Sequence, residues 1–123
     1  MSPVAVRALR GATQVDANDR DLILDAIAEL IHAVLERNGL TSEDLVSIVF
    51  TATPDLDAEF PAYAARLAGI SDVPMLSATE IGVPGAMPRV LRLLAHVETD
   101  RSRHDLHHVY LRGAAALRSD LPR

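Results

Sequence analysis

The chain predicts an α/β fold of the α+β kind, in which a mixed β-sheet is covered on one face by two helices. Three observations carry that prediction. Ile23, Ile27, Leu30, Ile31 and Val34 follow helical spacing and form one apolar stripe. Residues 45–53 are a run of β-branched and apolar side chains halted by Pro54, the pattern of a buried strand. Shorter β-type runs flank these segments, separated by turn residues, and give the order β-α-β-α-β-β-β.

Taken in order, residues 4–10 read as a strand bounded by Gly11. Val4, Val6 and Ala8 share one face, which Arg10 ends. Residues 13–18 are a polar connection. The helix spans 19–37, with Asn18 as its N-cap and Asp19 and Asp21 at the positive end of its dipole. Arg37-Asn38-Gly39 is its stop. After the strand at 45–53 comes a shorter helix at 57–69, with Pro61 in its first turn and Gly69 at its end. Residues 73–78 form a short strand, and Gly82-Val83-Pro84-Gly85 a turn. Residues 89–99 fit two patterns: a helix marked by Val90, Leu94 and Val97, or a strand with Arg92 on the face of Val90 and Leu94. The flanking turn and the β-branched ends favour the strand. Residues 100–106 are a polar connection, 108–112 a last strand, and the tail from Gly113 is irregular.

A length of 123 residues fits one domain over 1–123, long enough to bury a core without staples. The sequence has no Cys, which excludes disulfides, zinc–thiolate sites, iron–sulfur clusters and cysteine nucleophiles. All 12 basic residues are Arg, so Schiff-base lysines and Walker-type phosphate loops are excluded as well. The net charge of −5 disfavours nucleic acid as a partner. No apolar run approaches the roughly 20 residues of a membrane span, and the first residues lack the apolar centre of a signal peptide. A cytoplasmic protein without a membrane partner is expected.

Several polar residues stand where the pattern asks for apolar ones. Arg10 ends an apolar face, Arg92 lies inside an apolar run, Arg66 sits in an alanine-rich helix, and Glu80 ends a strand. Tyr110 is one of four aromatic residues. A half-buried Arg keeps its charge and needs an anionic partner. Arginines that converge would hold a carboxylate or phosphate through bidentate pairs. Taken singly, each is ordinarily a surface cation or part of a structural ion pair, and Tyr110 a core ring with its hydroxyl at the rim. His104, His107 and His108 lack the spacing of a helical zinc motif, so no metal is expected, and His32 and His96 read as surface or interface residues. Thr53-Pro54-Asp55 reads as turn chemistry. A sheet covered on one face leaves the other to be buried, and oligomerisation would do so while building pockets between subunits.

Arg7-Ala8-Leu9-Arg10-Gly11-Ala12-Thr13 resembles the R-x-I-R-G-A-T opening of the monofunctional chorismate mutases of the Bacillus type. Further segments follow in register. Thr51-Ala52-Thr53-Pro54-Asp55-Leu56 is similar to S-A-T-P-D-L, Phe60-Pro61-Ala62 to F-P-A, and Val73-Pro74 with Glu80 to V-P…E. Residues 89–100 resemble the I-R-V…T-D strand, His108-Val109-Tyr110-Leu111 resembles H-V-Y-L, and Leu117-Arg118-Ser119-Asp120-Leu121 resembles L-R-P-D-L. The resemblance covers nearly the whole chain.

The resemblance implies a homotrimer whose sheets pack as a pseudo α/β-barrel, with an active site at each subunit interface. It favours the strand at 89–99. It implies the cofactor-free rearrangement of chorismate to prephenate on the route to Phe and Tyr. Arg92 would donate to the ether oxygen, Arg10 and Tyr110 would bind the side-chain carboxylate, and Glu80 would accept from the ring hydroxyl. Phe60 and Leu117 would wall the site, Ser77 would contact substrate, Arg66 would reach in from a neighbouring subunit, and Arg118 would close over the ligand. The chain departs from the family pattern at Ser77 (Cys), Tyr63 (a basic residue), Ser119 (Pro) and Gly82. The rival readings are a trimeric imine deaminase and a metabolite-binding trimer. The motifs are unlike those of the deaminases, and the full set Arg10, Glu80, Arg92 and Tyr110 argues against an idle binder.

Overall fold

A computed structural model describes residues 3–118, apart from the side chain of Arg118. The elements run β1 (Ala5–Gln14), α1 (Arg20–Arg37), β2 (Leu45–Ala52), α2 (Pro61–Leu67), β3 (Met75–Thr79), β4 (Val90–Thr99) and β5 (Val109–Tyr110). Short 3₁₀ turns occupy Ser42–Asp44, Arg103–Asp105 and Arg112–Arg118. The order is the expected one. The strands form a single mixed sheet in the spatial order β3-β2-β4-β1-β5. β4 is its centre and pairs antiparallel with both β1 and β2, whereas β3 and β5 add to the edges in parallel.

Alternation divides the sheet into two faces. Leu9, Gly11 and Thr13 of β1, Ile48, Phe50 and Ala52 of β2, and Leu91, Leu93, Ala95 and Val97 of β4 are buried on one of them. The helices cover this face. Ile23, Ala26, Ile27, Leu30, Ile31 and Val34 line the buried side of α1, and Ala64 and Ala65 that of α2. Each fully buried Ile, Leu or Val of that stripe contributes about 1.5–3 kcal/mol. Shortening Leu30 to Ala would cost roughly 2–5 kcal/mol.

Several boundaries differ from the sequence reading. β1 does not stop at Gly11 but runs on to Gln14, through Gly11 and Thr13. Gly11 is a point of close approach. A Cβ there would stand 3.2 Å from Leu30 Cδ1 and Val34 Cγ2 and 3.3 Å from Leu93 Cγ. Thr13 likewise belongs to the core and not to a polar loop. It is fully buried, and among the described residues its hydroxyl has no partner. Removing an unpaired buried hydroxyl without changing shape is favourable. Thr13→Val is therefore expected to raise stability by about 1 kcal/mol, measured by chemical denaturation at fixed protein concentration; a loss of stability would show that the hydroxyl is satisfied.

α1 is capped by Asp19, not Asn18: the Asp19 carboxylate accepts from Leu22 N at 3.0 Å. Asn18 instead ties the entrance of α1 to the loop before α2, accepting from Asp57 N and Ala58 N at 3.0 Å. That bracing keeps residues 57–60 as loop, and α2 begins only at Pro61, its first helical residue. β5 is two residues long, shorter than predicted. His108 extends its pairing in another way, because its Nδ1 accepts from Arg10 N at 3.0 Å. The segment after Gly113, expected to be irregular, continues the last 3₁₀ turn to Arg118.

Candidate active site

The uncovered face of the sheet carries Arg10, Ala12, Ser47, Val49, Thr51 and, on β4, Arg92, Leu94 and His96. Register places their side chains. Ala12 and Thr51 stand opposite Arg92 from either side, and Tyr110 stands opposite Ala12 on the edge. Arg10, Arg92 and Tyr110 thereby line one cavity of about 290 Å³, floored by Val49, Thr51 and Leu94. Its donors are two guanidinium groups and one phenol, a set that suits an anionic ligand.

Glu80 joins this group from the end of β3, where its N–H donates to Ala52 O at 2.9 Å. Its carboxylate receives Arg92 Nε at 3.1 and 3.0 Å and the Thr51 hydroxyl at 2.8 Å. Arg92 is thus engaged through Nε alone. Among the described residues its two terminal nitrogens donate to nothing, and the Arg10 guanidinium has no partner. Two cations and one carboxylate leave a net positive site.

The start of β4 is held firmly, which fixes where Arg92 stands. Arg89 has φ 54, a left-handed conformation that costs a non-glycine residue roughly 1 kcal/mol or more. The Asp55 carboxylate accepts from Arg89 N at 3.0 and 3.2 Å and from the Thr53 hydroxyl at 2.6 Å. Arg89 Nε donates to Val15 O at 2.9 Å. The Thr53-Pro54-Asp55 segment is thus more than a turn: it clamps the entry to the strand that bears Arg92.

Phe60, Arg66 and Ser77 lie elsewhere. With Tyr63, Met75 and Leu76 they border a hollow along the β3 edge that has no residue in common with the Arg92 cavity. The Ser77 hydroxyl accepts from Ala62 N at 3.0 Å and so ties down the first turn of α2, where Phe60 offers no side-chain cap. Phe60 is 69% exposed, high for an aromatic side chain. Leu117 lies half-buried in the last 3₁₀ turn, the side chain of Arg118 is outside the described atoms, and Ser119 is outside the described residues.

Of the histidines, His32 pairs with Glu36 at 2.8 Å, His96 Nδ1 lies 3.3 Å from Ser47 Oγ, and His107 is held through its backbone by Asn38. Thr51 is the residue of this cluster to which sequence reasoning gave no role. Its signal was available: alternation along residues 45–52 sets Thr51 apart from Ile48, Phe50 and Ala52 and makes it the one polar side chain at the C-terminal end of that face.

The chain is similar to known proteins over most of its length. The model for the family described as chorismate mutase type I matches residues 6–121. The chain is 48% identical over 117 residues to the chorismate mutase AroH of Thermus thermophilus, covering 94% of this chain and 96% of that protein. It is 38% identical over 117 residues to the chorismate mutase AroH of Bacillus subtilis, covering 94% and 92%. A solved chorismate mutase from Clostridium thermocellum superposes with a TM-score of 0.87 at 44% identity, covering 89% of this chain and 98% of that one. Sequence and fold thus converge over nearly the whole length, and the chain belongs to the type I chorismate mutase family.

Proposed function

We infer that the protein isomerises chorismate to prephenate in the cytoplasm, on the route to Phe and Tyr, and that Arg92 is the group on which the reaction turns. The observation that carries this reading is the Arg92 guanidinium itself. Glu80 holds it through Nε alone, and it is aimed at a cavity shared with Arg10 and Tyr110. The rearrangement breaks a C–O bond and forms a C–C bond in one cyclic step. It calls for no nucleophile, proton shuttle, metal or cofactor. It needs a dianion held in a folded, chair-like conformer and positive charge where the ether oxygen gains electron density.

In this assignment Arg92 donates to the ether oxygen and a neighbouring carboxylate. Arg10 and the Tyr110 hydroxyl grip the side-chain carboxylate. Glu80 accepts from the ring hydroxyl and faces the electron-poor ring. Val49 and Leu94 supply an apolar floor against which the ring is pressed.

Phe60, Arg66, Ser77, Leu117 and Arg118 complete the site in a homotrimer. Two features support the trimer. Val6 and Leu94 leave apolar surface on the uncovered sheet face, while Phe60, Leu67 and Leu76 do so along the β3 side. Two different apolar surfaces on one chain suit a head-to-tail ring, in which the hollow at Phe60 and Arg66 of one subunit meets the Arg92 cavity of the next. A net charge of −5 disfavours nucleic acid as a partner, and among the described residues no helix is long and apolar enough to cross a membrane.

The test is loss of the chorismate diene absorbance with purified protein and EDTA, prephenate being identified as product. No loss from a folded sample would favour a metabolite-binding protein instead. The shared site has its own test. Arg66→Ala and Arg92→Ala are each expected to be nearly inactive. Unfolded together at equal amounts and refolded, they should recover activity in about a quarter of the sites, since random rings place an intact Arg66 beside an intact Arg92 that often. A mixture no more active than its parts would put both residues in one subunit's site.

A further inference from the structure

We propose that Thr51 is a positioning residue for the rearrangement: its hydroxyl fixes the Glu80 carboxylate so that Arg92 is engaged only through Nε and keeps both terminal nitrogens for substrate. The proposal rests on the activity assigned above.

An arginine and a carboxylate left to themselves favour a fork, two parallel bonds that use at least one terminal nitrogen. The Arg92–Glu80 pair does not adopt it. A single donor, Nε, is divided between both carboxylate oxygens at 3.1 and 3.0 Å. Thr51 supplies the reason. Its hydroxyl occupies Oε2 at 2.8 Å, and its backbone stands directly opposite Arg92 in the β2–β4 ladder. The other end of Glu80 is anchored through its N–H to Ala52 O, the residue after Thr51. Rotation of the carboxylate about its last bond is a freedom that these anchors leave to the pair, and the Thr51 hydroxyl restrains it. Without that hydroxyl, Glu80 can turn to meet a terminal nitrogen of Arg92. The charge would stay in the site, but half of its donors would point away from the ligand. That loss falls on the geometry reached at the barrier, and less on capture of the dianion.

Thr51→Val keeps shape and β-propensity while deleting the hydroxyl. The expected result is a fall in kcat of about tenfold with KM within about twofold, the scale of one hydrogen bond to a charged group. The melting temperature should be unchanged or higher. Thr51→Ser restores the hydroxyl and should recover most of the lost kcat. On a Glu80→Gln background, Thr51→Val should change kcat by less than about twofold, since the group it orients is already altered. A crystal structure of Thr51→Val should show a terminal nitrogen of Arg92 on Glu80.

Wild-type kcat in Thr51→Val, or equal losses in the Val and Ser variants, would overturn the proposal. So would an unchanged Nε-only pair in the crystal, whatever the activity. Wild-type protein assayed alongside separates the two levels: no turnover there would strike at the assigned reaction, whereas an active wild type matched by Thr51→Val strikes at Thr51 alone.

Discussion

Arg92→Ala is expected to lower kcat by roughly 10²–10³-fold, because one preorganised donor at a developing negative charge is worth about 3–4 kcal/mol of barrier. The loss in kcat/KM should be larger still, since in the role proposed for it the same side chain also binds a carboxylate in the ground state. Arg92→Lys is expected to recover little. An ammonium is a single point of charge. It can answer Glu80 or face the cavity, whereas the guanidinium does both, with Nε on Glu80 and its terminal nitrogens free among the described residues. The side chain of Arg92 is 41% exposed and lies on the uncovered face, so either variant should melt close to the wild type. Steady-state kinetics on folded protein decide the matter, and near wild-type turnover in Arg92→Ala would remove the central role given to this residue.

The second large effect concerns stability. Asn38 lies at the C-terminal end of α1 and is completely buried. Its amide nitrogen donates to Val34 O at 2.8 Å and to His107 O at 3.0 Å, and its Oδ1 accepts from His107 N at 2.6 Å. It thus caps the helix through Val34 and, by the two bonds to His107, straps down the segment that leads into β5. Asn38→Ala strands three backbone groups and leaves a void. A buried polar group left unpaired costs about 1–3 kcal/mol, and the surroundings relax enough that a total near 3 kcal/mol is expected. The apparent melting temperature, compared at one protein concentration, should fall by roughly 10–15 °C. Asn38→Asp should fare no better, because it loses both donors and buries a charge. A shift of less than about 2 °C in Asn38→Ala would mean that the strap contributes nothing. Tyr110 stands three residues beyond His107, so activity measured well below the transition should also fall.

How much of this was legible beforehand depended on the range of the interaction involved. The α1 stripe was fully readable, because its apolar positions repeat within a few turns and need no knowledge of what they pack against. The strand at β4 was ambiguous by period alone. Val90, Leu94 and Val97 suit a helix, and only pairing on both sides makes the segment a strand. Gly11 was misjudged for a similar reason. A glycine after a β-run reads as a stop, whereas here it makes room for Leu30 and Val34 of a helix lying across the sheet. At the site, Arg10, Arg92, Glu80 and Tyr110 stood out as polar residues in apolar company. That Arg10, Arg92 and Tyr110 face one cavity, and that Glu80 reaches Arg92 from the far side of β2, depends on the strand order β3-β2-β4-β1-β5, which no local pattern contains. Thr51 escaped notice because a threonine in a strand is ordinary until its opposite number is known.

The place of β4 has a consequence for how the chain comes to be folded at all. β1 finds its partner only across a loop of most of the chain: Ala5 is registered with Thr99 and Gln14 with Val90. During synthesis the β2-α2-β3 unit can assemble early, since its parallel pairing is closed by its own crossover helix. β1 meanwhile waits with both edges open and with nothing to lie against until the last third of the chain has been made. Closing so long a loop is a slow entropic search, and unpaired edges are hazardous while it lasts. Refolding from denaturant should therefore fall in the millisecond-to-second range of non-local topologies, and yield should depend on how dilute the chains are until β4 arrives.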